Sequence, residues 1–216
     1  MTVPDAAFYF DLASPLAYLA AEQALHVLSG PVEWQPVLAR ELSNTESFEA
    51  HRRRTEEEIF RSEIERRAQA LGLQPLRWPS PFPFDSTLAM RAATYAKSIG
   101  RTVSFAQAAF RQAFAGGRSL AEPDNVLIAA AACEMHPTAV LQCAELRSVH
   151  EQLAAATTQA ARAGVSDVPA VRIDASVFAG EHGLAEAAAY LRRATFAYTS
   201  GARRSSATPP PTPPST

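Results

Sequence analysis

Three kinds of hydrophobic spacing follow one another along the chain. "AFYFDL" (Ala7–Leu12) is a short apolar-aromatic run, the signature of a buried strand. "SPLAYLAAEQALHVL" then changes period: Leu16, Leu19, Ala20, Gln23, Ala24 and Val27 recur at helical spacing. Ser14 is a favoured N-cap, Pro15 suits the first helical position, and Gly30-Pro31 closes the helix. "PVEWQPVLA" returns to strand spacing, with Val32, Trp34 and Val37 on one side. A strand–helix–strand connection predicts two parallel strands in a right-handed crossover.

From about Ser43 to Ala163 the pattern is helical. "ESFEAHRRRTEEEIFRSEIERRAQALGL" is a charged amphipathic helix, its mixed-sign charges reading as a solvated face with i,i+4 pairs. "QPLRWPSPFPFDS" is a proline-rich loop. Helices follow over Ser86–Ser98, Thr102–Ala115 and Pro123–Glu134, with one or two more from Pro137 to Ala163. Strand spacing reappears at Ala170–Ile173, and "SVFAG" reads as the returning strand of a hairpin. "GLAEAAAYLRRAT" is a last amphipathic helix, with Leu184, Ala188 and Leu191 on one face. The end, "SGARRSSATPPPTPPST", has no apolar residues for a core and reads as disordered.

The order is β-α-β, a helical block, then β-β-α. Neither outer piece is large enough to fold alone. Joined in one sheet, they make an α/β thioredoxin fold with an all-helical domain inserted between its halves. The expected division is 1–42 with 162–196 for the thioredoxin-like domain, 43–161 for the insertion and 197–216 for the tail.

Composition narrows the function. The 216 residues are 47% hydrophobic, enough for a core, and the net charge is −2. That balance gives no electrostatic reason for a nucleic-acid partner or an anionic membrane surface. No apolar run approaches the ~20 residues of a membrane span, and "MTVPDAAFYF" lacks the basic start of a signal peptide. The expected compartment is the cytoplasm. Cys133 and Cys143 form no C-x-x-C pair and read as small buried thiols. The five histidines show no metal-ligand spacing, and there is no nucleophile elbow or phosphate loop.

Three short stretches carry candidate chemistry. Ser14 stands at a helix N-terminus, where unpaired N–H groups favour anions and lower thiol pKa values. "SPLA" fills a C-P-x-C window, with Ser14 in place of the first thiol and Ala17 in place of the second. A dithiol–disulfide cycle is impossible there, but a hydroxyl can donate to a thiolate that a cofactor brings. A plain helix cap is the competing reading. In "GVSDVPAV", Val168-Pro169 precedes a strand. A cis proline there would leave the Val168 backbone free to pair with an extended thiol peptide, and a trans proline would merely start the strand. In "FAGEHGL", Glu181 and His182 precede the last helix, either as a capping loop or as a contact for the ends of a small peptide.

Together these stretches resemble the 2-hydroxychromene-2-carboxylate isomerases and kappa-class glutathione transferases, a serine-type branch of the DsbA-like thioredoxin superfamily. "FYFDLASPLAYLA" is similar to the family's F-Y-x-D-x-x-S-P opening, and "VEWQPVLA" to its V-x-W-R-P-x-L-L strand. "PFPFDSTLAMRAATYA" resembles P-x-x-F-P-x-N-S/T-x-x-A-x-R. "GVSDVPAV" and "FAGEHGLAEAAAYL" resemble G-V-F-G-V-P-T/S-F and F-W-G-Q-D-R-L. The match runs from about Ala7 to Arg193.

The resemblance implies glutathione as the bound thiol, a small conjugated or aromatic-derived electrophile as substrate, and often a homodimer. It implies that Ser14 contacts the glutathione sulfur and favours its thiolate, and that Val168, with Pro169, holds the cysteinyl backbone. The isomerase reaction is then nucleophilic catalysis with a borrowed nucleophile. The chain departs from the pattern at several positions. The family's aspartate for the γ-glutamyl end falls at His182, with Glu181 beside it. Ala179 and Leu16 replace aromatics, and Asn44 is the nearest counterpart of the family's asparagine. Two alternatives stand beside this reading: a DsbA-like thiol–disulfide oxidoreductase, and a redox-inactive thioredoxin-fold module that binds a peptide or protein.

Overall fold

The computed structural model describes residues 5–42, 54–180 and 182–193. Strands β1 (Ala6–Phe10), β2 (Glu33–Pro36), β3 (Ala170–Ile173) and β4 (Ser176–Ala179) form one sheet in the order β2-β1-β3-β4. Helix α1 (Pro15–Val27) joins β1 to β2, which run parallel with Phe8 opposite Trp34. β3 lies antiparallel to β1 on its other side, and β4 folds back antiparallel on β3. Asp174, at φ 51°, starts the turn between them, a left-handed conformation that aspartate tolerates. This is the mixed sheet of a thioredoxin fold.

The central strand explains itself by alternation. All five residues of β1 are buried, as befits a strand covered on both faces. Phe8 and Phe10 face one side, where Trp34 meets Phe8 edge-on at 4.9 Å and Val171 and Ile173 join them. Ala7 and Tyr9 face the other, against Val165, Val168 and Ala170. Val37 belongs to this second face, not beside Trp34 as the sequence pattern suggested. Val37 lies three residues beyond Trp34, so strand alternation itself puts it on the opposite face, and its N–H donates to the Phe10 C=O at 3.1 Å.

Six described helices lie between β2 and β3: α2 (Arg54–Ala70), α3 (Thr87–Ser98), α4 (Thr102–Phe114), α5 (Pro123–Ala131), α6 (Pro137–Ala144) and α7 (Arg147–Arg162). α8 spans 183–193. The expected charged helix is seen from Arg54, and its earlier part lies outside the described residues. Its charges pair along the helix, with Arg61 to Glu57 at 2.6 Å and Arg67 to Glu63 at 2.9 Å. α5 ends three residues before the expected Glu134, which takes a left-handed φ of 57°. The stretch after Pro137 makes two helices.

The block and the sheet share a core. Buried alanines on α3 and α4 (Ala89, Ala92, Ala93, Ala96, Ala106, Ala109) are small enough for close helix packing. From α4, Phe110 reaches Phe10 at 6.0 Å and Tyr18 at 6.1 Å, tying the block to β1 and α1. No helix among the described residues is long and apolar enough to cross a membrane.

Candidate active site

The turn from β1 to α1 is fixed by an acid and a hydroxyl. Ser14 has extended backbone (φ −89°, ψ 114°) and its Oγ accepts the Ala17 N–H at 3.1 Å, an N-cap. Pro15 follows at the first helical position. Three residues earlier, the Asp11 carboxylate accepts the N–H groups of Ala13 and Ala39, each at 2.9 Å, and a hydroxyl hydrogen bond from Ser86. Burial pushes the Asp11 carboxyl up, and these donors oppose the shift. Asp11 thereby joins the turn to the 3-10 segment after β2 and to the start of α3.

Opposite the turn lies the loop before β3. The Val168-Pro169 peptide is cis. The Val168 C=O is 3.5 Å from Ser14 Oγ, beyond the usual length of a hydroxyl hydrogen bond. Ser14 Oγ thus spends a lone pair on its helix, and its proton has no close acceptor among the described residues. No histidine or carboxylate hydrogen-bonds to it there, so nothing activates it as a nucleophile.

Ser14 and Val168 open on a cavity of about 410 Å³. Its opposite wall comes from the helical block: Phe60 on α2 and Phe82, Phe84 and Asp85 in the loop before α3. Phe82 is held by Trp78, edge-on at 4.9 Å, and the Arg61 guanidinium lies 5.6 Å from its ring centre. Arg40 pairs with Asp85 at 2.8 Å across this wall. A second cavity, of about 310 Å³, lies on the other side of Leu16. Pro169, Gly180, His182, Leu184 and Gln23 are among its lining residues.

Of the residues singled out from sequence, Ser14 and Val168 therefore meet at the first cavity, and Pro169 and His182 at the second. Leu16 belongs to both. The His182 C=O accepts the Glu186 N–H at 2.9 Å, so the residue also serves the start of α8. That start needs its glycine: a Cβ on Gly183 would lie 2.9 Å from the Phe178 backbone. Asn44 and Glu181 lie outside the described residues. Cys133 is buried, Cys143 is partly exposed, both are free thiols, and neither lines either cavity.

Asp11, Arg40, Phe60, Phe82, Phe84, Asp85 and Asp167 also line the first cavity, though sequence pattern marks none of them as site residues. "FDLAS" and "FPFDS" lay inside recognised stretches, and that was their only signal. Nothing local announces that Phe60, on a distant helix, joins them.

Comparison with known proteins gives a consistent frame. Residues 6–192 match the DSBA-like thioredoxin domain family. No curated protein sequence matches the chain. Among solved structures, a 2-hydroxychromene-2-carboxylate isomerase superposes with a TM-score of 0.69 at 16% identity, covering 92% of this chain and 94% of that one. A probable DsbA oxidoreductase from Streptomyces coelicolor gives 0.68 at 16% identity, covering 97% and 93%. The cytosolic disulfide reductase DsbM from Pseudomonas aeruginosa, solved with GSH, gives 0.63 at 16% identity, covering 88% and 98%. At these identities the likeness is one of fold.

Proposed function

The chain belongs to the DSBA-like thioredoxin domain family, and within it we propose a glutathione-dependent isomerase or transferase acting on a small conjugated or aromatic-derived electrophile in the cytoplasm. The observation that carries this reading is Ser14. Its oxygen caps α1, its proton has nothing nearer among the described residues than the Val168 C=O at 3.5 Å, and it faces a cavity. A sulfur arriving there meets an O–H donor and the positive end of a thirteen-residue helix. Both favour thiolate over thiol.

Glutathione suits the surroundings. Its cysteinyl backbone would pair with Val168, and one end would run past Pro169 into the second cavity. His182 and Gln23 offer polar contacts there, with Glu181 and Asn44 as further candidates. The electrophile would occupy the first cavity against Phe60, Phe82 and Phe84. The thiolate adds to a conjugated carbon, and the electron pair moves to the far end of the conjugated system. An isomerase then lets the former double bond rotate and expels the thiolate unchanged. A transferase protonates the adduct and releases it. The chain's share is to hold the sulfur ionised and the partners aligned.

A dithiol mechanism has no support at this place, since Ser14 and Ala17 carry no thiol. Calorimetric titration with reduced glutathione tests the proposal. Wild type should bind, and Ser14→Ala should bind more weakly. No heat of binding from folded wild type up to about 10 mM, beyond the millimolar end of useful affinity, would overturn it in favour of a binding module for another partner.

A further inference from the structure

Both backbone groups of Val168 already face their own chain. The C=O looks at Ser14 Oγ over 3.5 Å, a loose contact. The N–H is held more firmly: it donates to Asp167 Oδ1 at 2.7 Å, within the range of a charge-assisted hydrogen bond. The stretch reads S-D-V-P, and the aspartate's own side chain covers the N–H of the residue after it.

The other charged groups around the first cavity are satisfied. Glu57 pairs with Arg61 at 2.6 Å, and Arg40 with Asp85 at 2.8 Å. Asp11 is buried among N–H donors. Asp167 is exposed at the cavity's edge, and among the described residues it has no cation beside it, only the Val168 N–H. Partial loss of water raises its carboxyl pKa, and that N–H bond opposes the rise.

We propose that Asp167 is a built-in competitor for the thiol peptide, holding the Val168 N–H that a cysteinyl carbonyl must take and setting a negative charge on the cavity that receives the thiolate. This rests on the glutathione reading of Ser14 and Val168. It makes Asp167 a specificity-determining residue: a bound thiol peptide must displace its carboxylate, and an anionic sulfur is disfavoured while the carboxylate is charged.

Two ligands and two variants separate these effects. Reduced glutathione and S-methylglutathione are titrated calorimetrically into wild type, Asp167→Gly and Asp167→Asn, with circular dichroism confirming the fold. Asp167→Gly should bind both ligands more tightly, by about tenfold, the equivalent of one net hydrogen bond. Asp167→Asn keeps an acceptor and loses the charge. It should tighten S-methylglutathione slightly, through the weaker acceptor, and glutathione by about threefold more, since only glutathione brings a thiolate. Wild-type affinities in both variants would overturn the competition while the glutathione reading stands. Failure of wild type and Asp167→Gly alike to bind glutathione at about 10 mM would overturn both. Binding by Asp167→Gly alone would support the competition and overturn glutathione as the ligand of the wild-type chain. If Asp167→Gly does not fold, an unchanged glutathione affinity in Asp167→Asn overturns the proposal.

Discussion

The first cavity has two walls of different chemistry. The sheet side offers backbone and hydroxyl groups: Ser14 at its helix cap, the Val168 peptide, and Asp11 fastening the turn. The helical-block side offers rings, Phe60, Phe82 and Phe84, with a surface ion pair at its edge. One wall holds positions to within a hydrogen bond. The other supplies shape and apolar area. Under the function proposed above, the thiol would be read by the sheet side and the electrophile by the helical-block side. Changing one wall should leave the other's ligand alone.

Ser14→Ala strikes the first wall hardest. It removes the hydroxyl proposed to donate to sulfur, and glutathione-dependent turnover should fall by about 10²–10³-fold, the usual worth of one preorganised donor. Its cost in stability should be only about 1 kcal/mol, that of a lost N-cap, read from a denaturant midpoint. Turnover lost in proportion to stability would reduce Ser14 to a cap. Ser14→Cys sharpens the same side. A thiol at this N-terminus should titrate within about 3.5–7.5, below the ordinary cysteine value, measured by the pH dependence of alkylation. With Ala17→Cys added, the dithiol should reduce insulin as it closes to a disulfide, and added dithiothreitol should reopen it.

Phe82→Ala addresses the opposite wall. The KM for the electrophile should rise by about tenfold, a fraction of the worth of a buried ring. The Kd for glutathione should stay within about twofold. A parallel loss of both would mean that the walls do not act separately. Asp85→Asn has the smallest effect. Asp85 accepts the Thr87 N–H at 2.9 Å and the Thr87 hydroxyl, and these with Arg40 hold its carboxyl below its ordinary 3.8. A depressed carboxylate stabilises the fold fully above its unfolded pKa and loses that contribution as pH falls through the folded one. The variant should therefore cost up to about 1 kcal/mol at neutral pH. The difference should shrink below about pH 4, where the unfolded carboxyl protonates.

The sheet side was far more legible in the sequence than the helical side. β1 announced itself because a strand buried on both faces is a continuous apolar run, and α1 because a serine, a proline and a change of period coincide. Those local signals fixed Ser14 at a helix start. Val168-Pro169 was legible as a loop before a strand, but its isomer was not, because tertiary contacts select it. The rings were not legible as a wall. Phe60 and Phe82 sit in separate elements, each apolar for its own packing, and only the folded chain brings them together. Asp167 was hidden for the opposite reason: its partner is the next residue's N–H, a contact that leaves no long-range pattern.

The ionisation of bound glutathione bears most directly on Ser14. Thiolate absorbance near 240 nm, followed against pH at saturating protein, gives the pKa of the bound thiol. In wild type it should lie below the ordinary thiol value of about 8.5 by a unit or more, and in Ser14→Ala it should return toward that value. A bound thiol that titrates identically with serine and with alanine would contradict the role assigned to the hydroxyl.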